Sequence, residues 1–420
     1  MSLGLNAAQS QSWIIRVRFA RIRISNHIFD PNSVMATLPS SIRARSMPRS
    51  AIREMMALAA GRPDVIHLEV GEPDAPTPAH IIKGAFQAAQ AGWTKYSANA
   101  GLPTLRALIA SRMSGRWGVQ VVPDQVVVTT GAVGAVYSAI STVVDAGDEI
   151  LLPDPGWPNY ESMAHLLHVK AVRYNLLAKN GFLPDPDDIE SRITEKTKVI
   201  LINTPANPTG AVFPERLMAR LADIAQNRGV YLISDEIYED IVFEGQHVSA
   251  GSLGIGDRTF VVSGLSKSYS MTGWRLGWLI CGSELAHVAS SLQESLTSCA
   301  STISQKAGEV ALSGSQDFTR TFCGNYRRRR DILVQVFSNT GVLPAVPAGA
   351  FYALIDISST GLSSFDFAKR LLLEYSVACV PGGTFGQSCE QFVRVAFTID
   401  DDQLREGLLR LRAFIESRTR

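Results

Sequence analysis

Short apolar runs alternate with amphipathic stretches from about residue 80 to residue 320. The run at 126–129 (Val126-Val127-Val128-Thr129) predicts a buried strand. Gly131 and a helix over 132–144 follow it. The same alternation predicts strands at 149–152, 199–202, 230–233 and 260–262, with helices at 160–167 and 215–227 between them. These strands are apolar on both faces. That pattern belongs to a mostly parallel sheet covered by helices on both sides. Further on, strands at 351–355 and 392–397 alternate with helices at 317–337, 365–374 and 401–418, the mark of a smaller α+β unit. The expected class is therefore α/β. Residues 75–320 are expected to form a large domain and 321–420 a small C-terminal one. Residues 35–74 are expected to form an N-terminal segment that packs with the small domain.

Composition narrows this reading only a little. A chain of 420 residues is long enough for more than one core. Lys+Arg (40) and Asp+Glu (39) nearly cancel, so no global field favours nucleic acid or a membrane surface. The basic run Arg327–Arg330 falls within a helical pattern and reads as a solvated face. The five cysteines lack disulfide spacing and suit a reducing compartment, so a cytoplasmic protein is expected. No stretch reaches the roughly 18 apolar residues of a membrane span. Residues 1–34 are Arg-rich and acid-poor. They read either as an organelle-targeting peptide or, with a better fit, as an extension ahead of a start at Met35, and they are expected to be disordered.

The candidate chemistry centres on the string from Gly264 to Gly277, GLSKSYSMTGWRLG. Lys267 follows a buried strand directly. Poor solvation there lowers its proton affinity and frees the amine as a nucleophile. Eight residues later, Arg275 offers a planar fork suited to phosphate. Asp235 ends another apolar strand, where an unpaired carboxylate is costly. Gly131 and Ala132 lie between strand and helix, where small residues let a phosphate approach N–H donors at the helix start. Arg394 sits within a short apolar strand, and a buried arginine needs an anionic partner.

The string around Lys267 resembles the pyridoxal-phosphate attachment motif of class I aminotransferases. Other strings resemble the same family in order and spacing. They are Gly71-Glu72-Pro73-Asp74, Lys95-Tyr96-Ser97, Gly131-Ala132-Val133, Asp154-Pro155-Gly156-Trp157, Asn207-Pro208-Thr209-Gly210, Ser234-Asp235-Glu236-Ile237-Tyr238 and Phe392-Val393-Arg394-Val395. The resemblance covers nearly the whole chain after Met35. It is similar to the fold type I branch that includes many bacterial and archaeal aspartate and aromatic enzymes.

What the resemblance implies is specific. Lys267 is the catalytic residue and carries pyridoxal 5'-phosphate as a Schiff base. Asp235 partners the pyridine nitrogen and keeps the ring an electron sink. Tyr238 and Asn207 hydrogen-bond the phenolic oxygen. Gly131, Ala132, Val133 and Arg275 belong to the phosphate site, and Trp157 stacks on the ring. Tyr96 reaches the phosphate of a neighbouring subunit, which implies a homodimer with shared sites. Arg394 binds the α-carboxylate of the substrate, with Gly71, Trp157 and Asn207 beside it, Gly71 on a segment able to close. The implied reaction is ping-pong transamination from an L-amino acid (aspartate, or a broad or aromatic set) to a 2-oxo acid, with 2-oxoglutarate the expected acceptor.

Two positions depart from the best-known relatives. Many carry Ser or Thr as a phosphate ligand where this chain has Gly264. Aspartate-preferring relatives carry a lysine where this chain has Val133, which removes a cation that a dicarboxylate would want. The cofactor residues leave open a carbon–sulfur lyase, or a related lyase or synthase, on the same fold. A regulator fused to a DNA-binding domain fits less well, because only about 35 residues precede the matching region, short of a usual domain.

Overall fold

The computed structural model describes residues 40–47, 51–253 and 258–419. The expectation for residues 1–34 lies outside them. Ile42–Arg45 forms one helical turn. From Ser46 onward the chain forms a separate compact body.

That body holds two main sheets. The strands in chain order are β1 (Ile66–His67), β2 (Val126–Thr130), β3 (Glu149–Asp154), β4 (Lys170–Asn175), β5 (Thr197–Asn203), β6 (Tyr231–Asp235), β7 (Thr259–Gly264), β8 (Leu276–Ile280), β9 (Tyr352–Asp356), β10 (Val377–Ala378), β11 (Val380–Pro381) and β12 (Phe392–Ala396). Seven form the large sheet in the order β2-β8-β7-β6-β5-β3-β4. Its neighbours are parallel except around β8, which runs against both β2 and β7. The mostly parallel sheet is thus as expected. The lone antiparallel strand follows from a short loop: β7 returns into β8 after eleven residues, too few for a helical crossover.

The central strands are apolar on both faces because helices cover both. One core includes Val128, Ile200, Leu232 and Val261 and meets helices such as Pro103–Trp117 and Glu215–Arg228. The other includes Val127, Val199, Ile233 and Val262, with Ala135 and Ile140 of the helix Gly131–Val143. Neighbouring residues along each strand thus enter opposite cores, as the period of two requires. A third core surrounds the antiparallel sheet β11-β12-β9 and the helices Asp317–Phe337, Ser364–Tyr375 and Asp401–Arg418. It also takes in Ile66 and Leu68, and β1 pairs in parallel with β10.

The basic run corrects one expectation. Arg327 and Arg328 face solvent, but Arg329 and Arg330 are buried. Arg329 grips both carboxylate oxygens of Asp74 at 2.9 and 2.6 Å, and Arg330 pairs with Glu244 and Asp331. A helix turns 100° per residue, so four consecutive arginines cannot share one solvated face. No helix among the described residues is long and apolar enough to cross a membrane.

Candidate active site

The parallel strands end together, and the loops after their carboxyl ends carry most of the predicted residues. A crevice at this edge is the usual ligand site of open α/β sheets. β2 runs into Gly131–Val143, whose first turn holds Ala132 and Val133. β3 leads to Trp157, β5 to Asn207, and Asp235 is the last residue of β6. Lys267 and Arg275 lie on the single loop that joins β7 to β8. A cavity of about 250 Å³ opens here, lined by Gly71, Ala132, Val133, Trp157, Asn207, Asp235, Tyr238, Lys267, Arg275 and Arg394 among others. Every predicted residue except Gly131 and Tyr96 lines it.

Gly131 lies just behind the wall. Its φ is +74°, and a side chain there would meet the Arg275 guanidinium at 2.5 Å. Glycine therefore serves both the turn and the close approach of the arginine. Tyr96 stands 87% exposed, away from the cavity of its own chain. Gly264 is equally constrained. A side chain there would press on the Gly277 Cα and the Leu276 carbonyl at 2.9 Å, across the β7–β8 pair. The cavity instead receives the hydroxyl-bearing residue two places on, Ser266.

The Lys267 amine donates to the Gly71 carbonyl at 2.7 Å. Burial holds its pKa down to about 8; the nearby Glu72 carboxylate opposes this, and Arg394 and Arg275 add to it. Asp235 moves the other way. Burial pushes its pKa up to about 6, against two donors that favour the anion. Those donors are the Tyr160 hydroxyl on Oδ2 at 2.7 Å and the Ile237 N–H on Oδ1 at 3.2 Å. Asp235 has no cation in ion-pair contact among the described residues. An acid at about 6 and an amine at about 8 in one cavity are groups whose proton affinities converge on neutrality.

Two guanidiniums line the cavity. Arg275 adopts φ +53° and donates to the Thr272 carbonyl at 2.8 Å. Arg394 donates to the Asn207 side-chain oxygen at 3.2 Å and to the Glu69 carbonyl at 2.6 Å, while its Nε is buried without a partner. Among the described residues neither arginine has a carboxylate within ion-pair distance. Arg394 is buried, where a cation without a counter-ion is costly, whereas Arg275 is exposed; both line the cavity and are suited to ligand anions.

Three contributors escaped the sequence reading. Tyr160 holds Asp235. Tyr352 places its hydroxyl 2.9 Å from that of Tyr238. Ile52, from the helix Ala51–Ala59, adds an apolar patch to the cavity. Tyr160 lies in the first turn of the helix that Trp157 caps, three residues after it, and this closeness was the available signal.

Comparison with known proteins decides the family. Residues 63–411 match the family described as aminotransferase class I and II. The chain belongs to that family. The aspartate aminotransferase of Pyrococcus horikoshii is 34% identical over 377 residues, 89% of this chain and 96% of that protein. The aspartate/prephenate aminotransferase of Thermus thermophilus is 36% identical over 351 residues, 83% of this chain and 90% of that one. Among solved structures, an aspartate aminotransferase from Thermus thermophilus with maleate superposes with a TM-score of 0.85 at 35% identity, covering 90% of this chain and all of that one. The large mostly parallel sheet with its helices is the fold type I architecture of these neighbours.

This aminotransferase is an enzyme that uses pyridoxal phosphate, and its cavity fits that group. A guanidinium and the first turn of a thirteen-residue helix converge at one end, the chemistry of a phosphate cup. A buried carboxylate suits a ring nitrogen, and an amine of lowered basicity suits an aldehyde.

Proposed function

We propose that this aminotransferase moves the amino group of an L-amino acid to a 2-oxo acid in two half-reactions at one site, with Lys267 as the residue that carries the cofactor. The single observation behind this reading is a lysine amine with a pKa of about 8, in one cavity with a buried carboxylate and two arginines that have no carboxylate in ion-pair contact among the described residues. Pyridoxal phosphate, when bound, supplies an electron sink for charge developing at the substrate Cα.

The chain's own residues supply the rest. Asp235 holds the ring nitrogen in its protonated form, and Tyr160 keeps that carboxylate anionic and oriented. Tyr238 and Asn207 donate toward the phenolic oxygen. Arg275, Ser266 and the N–H groups of Ala132 and Val133 hold the phosphate. Trp157 offers its face to the ring, edge-on to Tyr160 at 5.2 Å. Arg394 takes the α-carboxylate beside Gly71 and Asn207. Lys267 would act as the base and acid that moves the proton released at the substrate Cα, and a pKa of about 8 leaves a usable neutral fraction at physiological pH.

Aspartate, or a broad or aromatic set, is the proposed donor and 2-oxoglutarate the acceptor. The names of the relatives support aspartate, and the apolar Val133 and Ile52 support the wider set. A homodimer in which Tyr96 reaches the partner's phosphate site belongs to the same reading, supported by its exposure outside its own cavity. So does a place in amino-acid biosynthesis in the cytoplasm, where five free cysteines are at home.

The test is direct. Purified protein is expected to show a visible absorption band from the bound cofactor and to convert several amino donors with 2-oxoglutarate. Lys267→Ala is expected to abolish turnover. Full transaminase turnover in that variant would overturn the assignment.

A further inference from the structure

Tyr352 opens β9, paired in register with Ala396 of β12, and is 2% exposed. Its two ends touch different parts of the site. The hydroxyl lies 2.9 Å from the Tyr238 hydroxyl and 3.5 Å from the Gly71 carbonyl. The ring lies under the Arg394 guanidinium, 4.5 Å from centroid to carbon, with Phe385 5.1 Å from the same carbon.

Counting protons gives the pair a direction. Each hydroxyl has one proton. Tyr352 has two acceptors in reach, and the Gly71 carbonyl is the poorer. At 3.5 Å it is at the limit of a hydrogen bond, against 2.9 Å to the Tyr238 oxygen. These distances favour the arrangement in which Tyr352 donates to the Tyr238 oxygen and leaves the Tyr238 proton for an acceptor in the cavity. In the reverse arrangement Tyr238 would donate to Tyr352 and offer the cavity only a lone pair. The ring acts separately. A flat π-face against a buried guanidinium fixes its plane and offsets part of its desolvation.

We propose that Tyr352 is a positioning residue with two separable roles: its hydroxyl sets the direction in which Tyr238 donates, and its ring sets the plane of Arg394. This rests on the roles given above to Tyr238 and Arg394. Gly71 fits the same picture, since any side chain there would collide with the Tyr352 hydroxyl.

The experiment compares the holoenzyme with Tyr352→Phe and Tyr352→Leu. Two quantities are read: the pH midpoint of the visible band of the bound cofactor, and KM against kcat for an amino donor. Tyr352→Phe keeps the ring and loses the hydroxyl. Its midpoint is expected to rise by about half a unit or more, because a phenolic oxygen with a weaker donor holds its negative charge less well. Its KM is expected to stay within about two-fold, because the ring is retained. Tyr352→Leu loses both, and KM is expected to rise about ten-fold as well. A Phe variant whose midpoint matches wild type overturns the hydroxyl role. A Phe variant with a KM as poor as that of the Leu variant, or a folded Leu variant with wild-type KM, overturns the ring role. Should the Leu variant not fold, the split within the Phe variant still decides. Wild-type protein with neither a titrating band nor transaminase turnover would instead overturn the parent reading.

Discussion

The Tyr160 hydroxyl donates to Asp235 Oδ2 at 2.7 Å, at the carboxyl end of β6 and in the absence of any cation in ion-pair contact among the described residues. A neutral donor thus does what an ion pair does elsewhere: it favours the anion without neutralising it. A lysine or arginine here would weaken the carboxylate's hold on a cationic ring nitrogen. Burial pushes the Tyr160 hydroxyl well above its ordinary value, so it stays a donor across the whole working range.

Tyr160→Phe is accordingly expected to move Asp235 further above about 6, since the lost hydrogen bond favoured the anion. Cofactor affinity at pH 6 is expected to fall about ten-fold, with a smaller loss at pH 8. Equilibrium binding followed at the visible band across pH checks this. Equal losses at both pH values would point to packing alone.

Lys267 makes a prediction about stability. Its pKa falls from 10.5 to about 8 on folding, so below about pH 8 the folded protein bears the whole cost of a buried ammonium. Between about 8 and 10.5 the unfolded chain binds more protons than the native one, and stability rises with pH through that window. Lys267→Met is expected to stabilise the cofactor-free protein by about 2 kcal/mol at pH 7, allowing for the lost bond to Gly71. The gain is expected to vanish by about pH 10.5. Denaturant titrations of wild type and variant at the two pH values measure it, and a gain that did not depend on pH would contradict the assignment.

Arg394 donates through two nitrogens and sits over the Tyr352 ring at 4.5 Å, a set of contacts that a lysine cannot copy. Arg394→Lys is expected to raise KM for amino donors about a hundred-fold. The visible band of the cofactor is expected to survive, because the residues proposed to hold the cofactor's phosphate and ring nitrogen are untouched. Steady-state kinetics with a parallel spectrum test both halves.

Val133 and Ile52 leave two patches of the cavity apolar. Val133→Lys is expected to improve kcat/KM for aspartate relative to phenylalanine about ten-fold, by giving a second carboxylate a counter-charge. Paired kinetics with the two donors decide it. An unchanged ratio would mean that the donor side chain does not reach residue 133.

Much of the cofactor half of the site was legible in the sequence because it is local. Lys267 and Arg275 share one loop, Asp235 and Tyr238 share one turn, and both follow strands whose apolar runs announce them. The strands that went unread have physical reasons. β4, Lys170–Asn175, mixes polar and apolar residues without a clear period and lies half-buried at a sheet edge. β8 was hidden inside the motif that precedes it. Tyr352 was invisible for another cause: its partners Gly71, Tyr238 and Arg394 are remote in sequence and meet only once β9 lies against β12. The buried Arg329 has the same origin, since its partner Asp74 lies on a distant segment.

The loop between β7 and β8 is tied at both ends into one hydrogen-bonded strand pair, whereas Arg394 and Tyr352 belong to the other sheet. The molecule therefore has two inheritable parts. A substitution in the three-stranded sheet can shift Arg394 and Tyr352 while the strand pair that carries the Lys267 loop keeps its register.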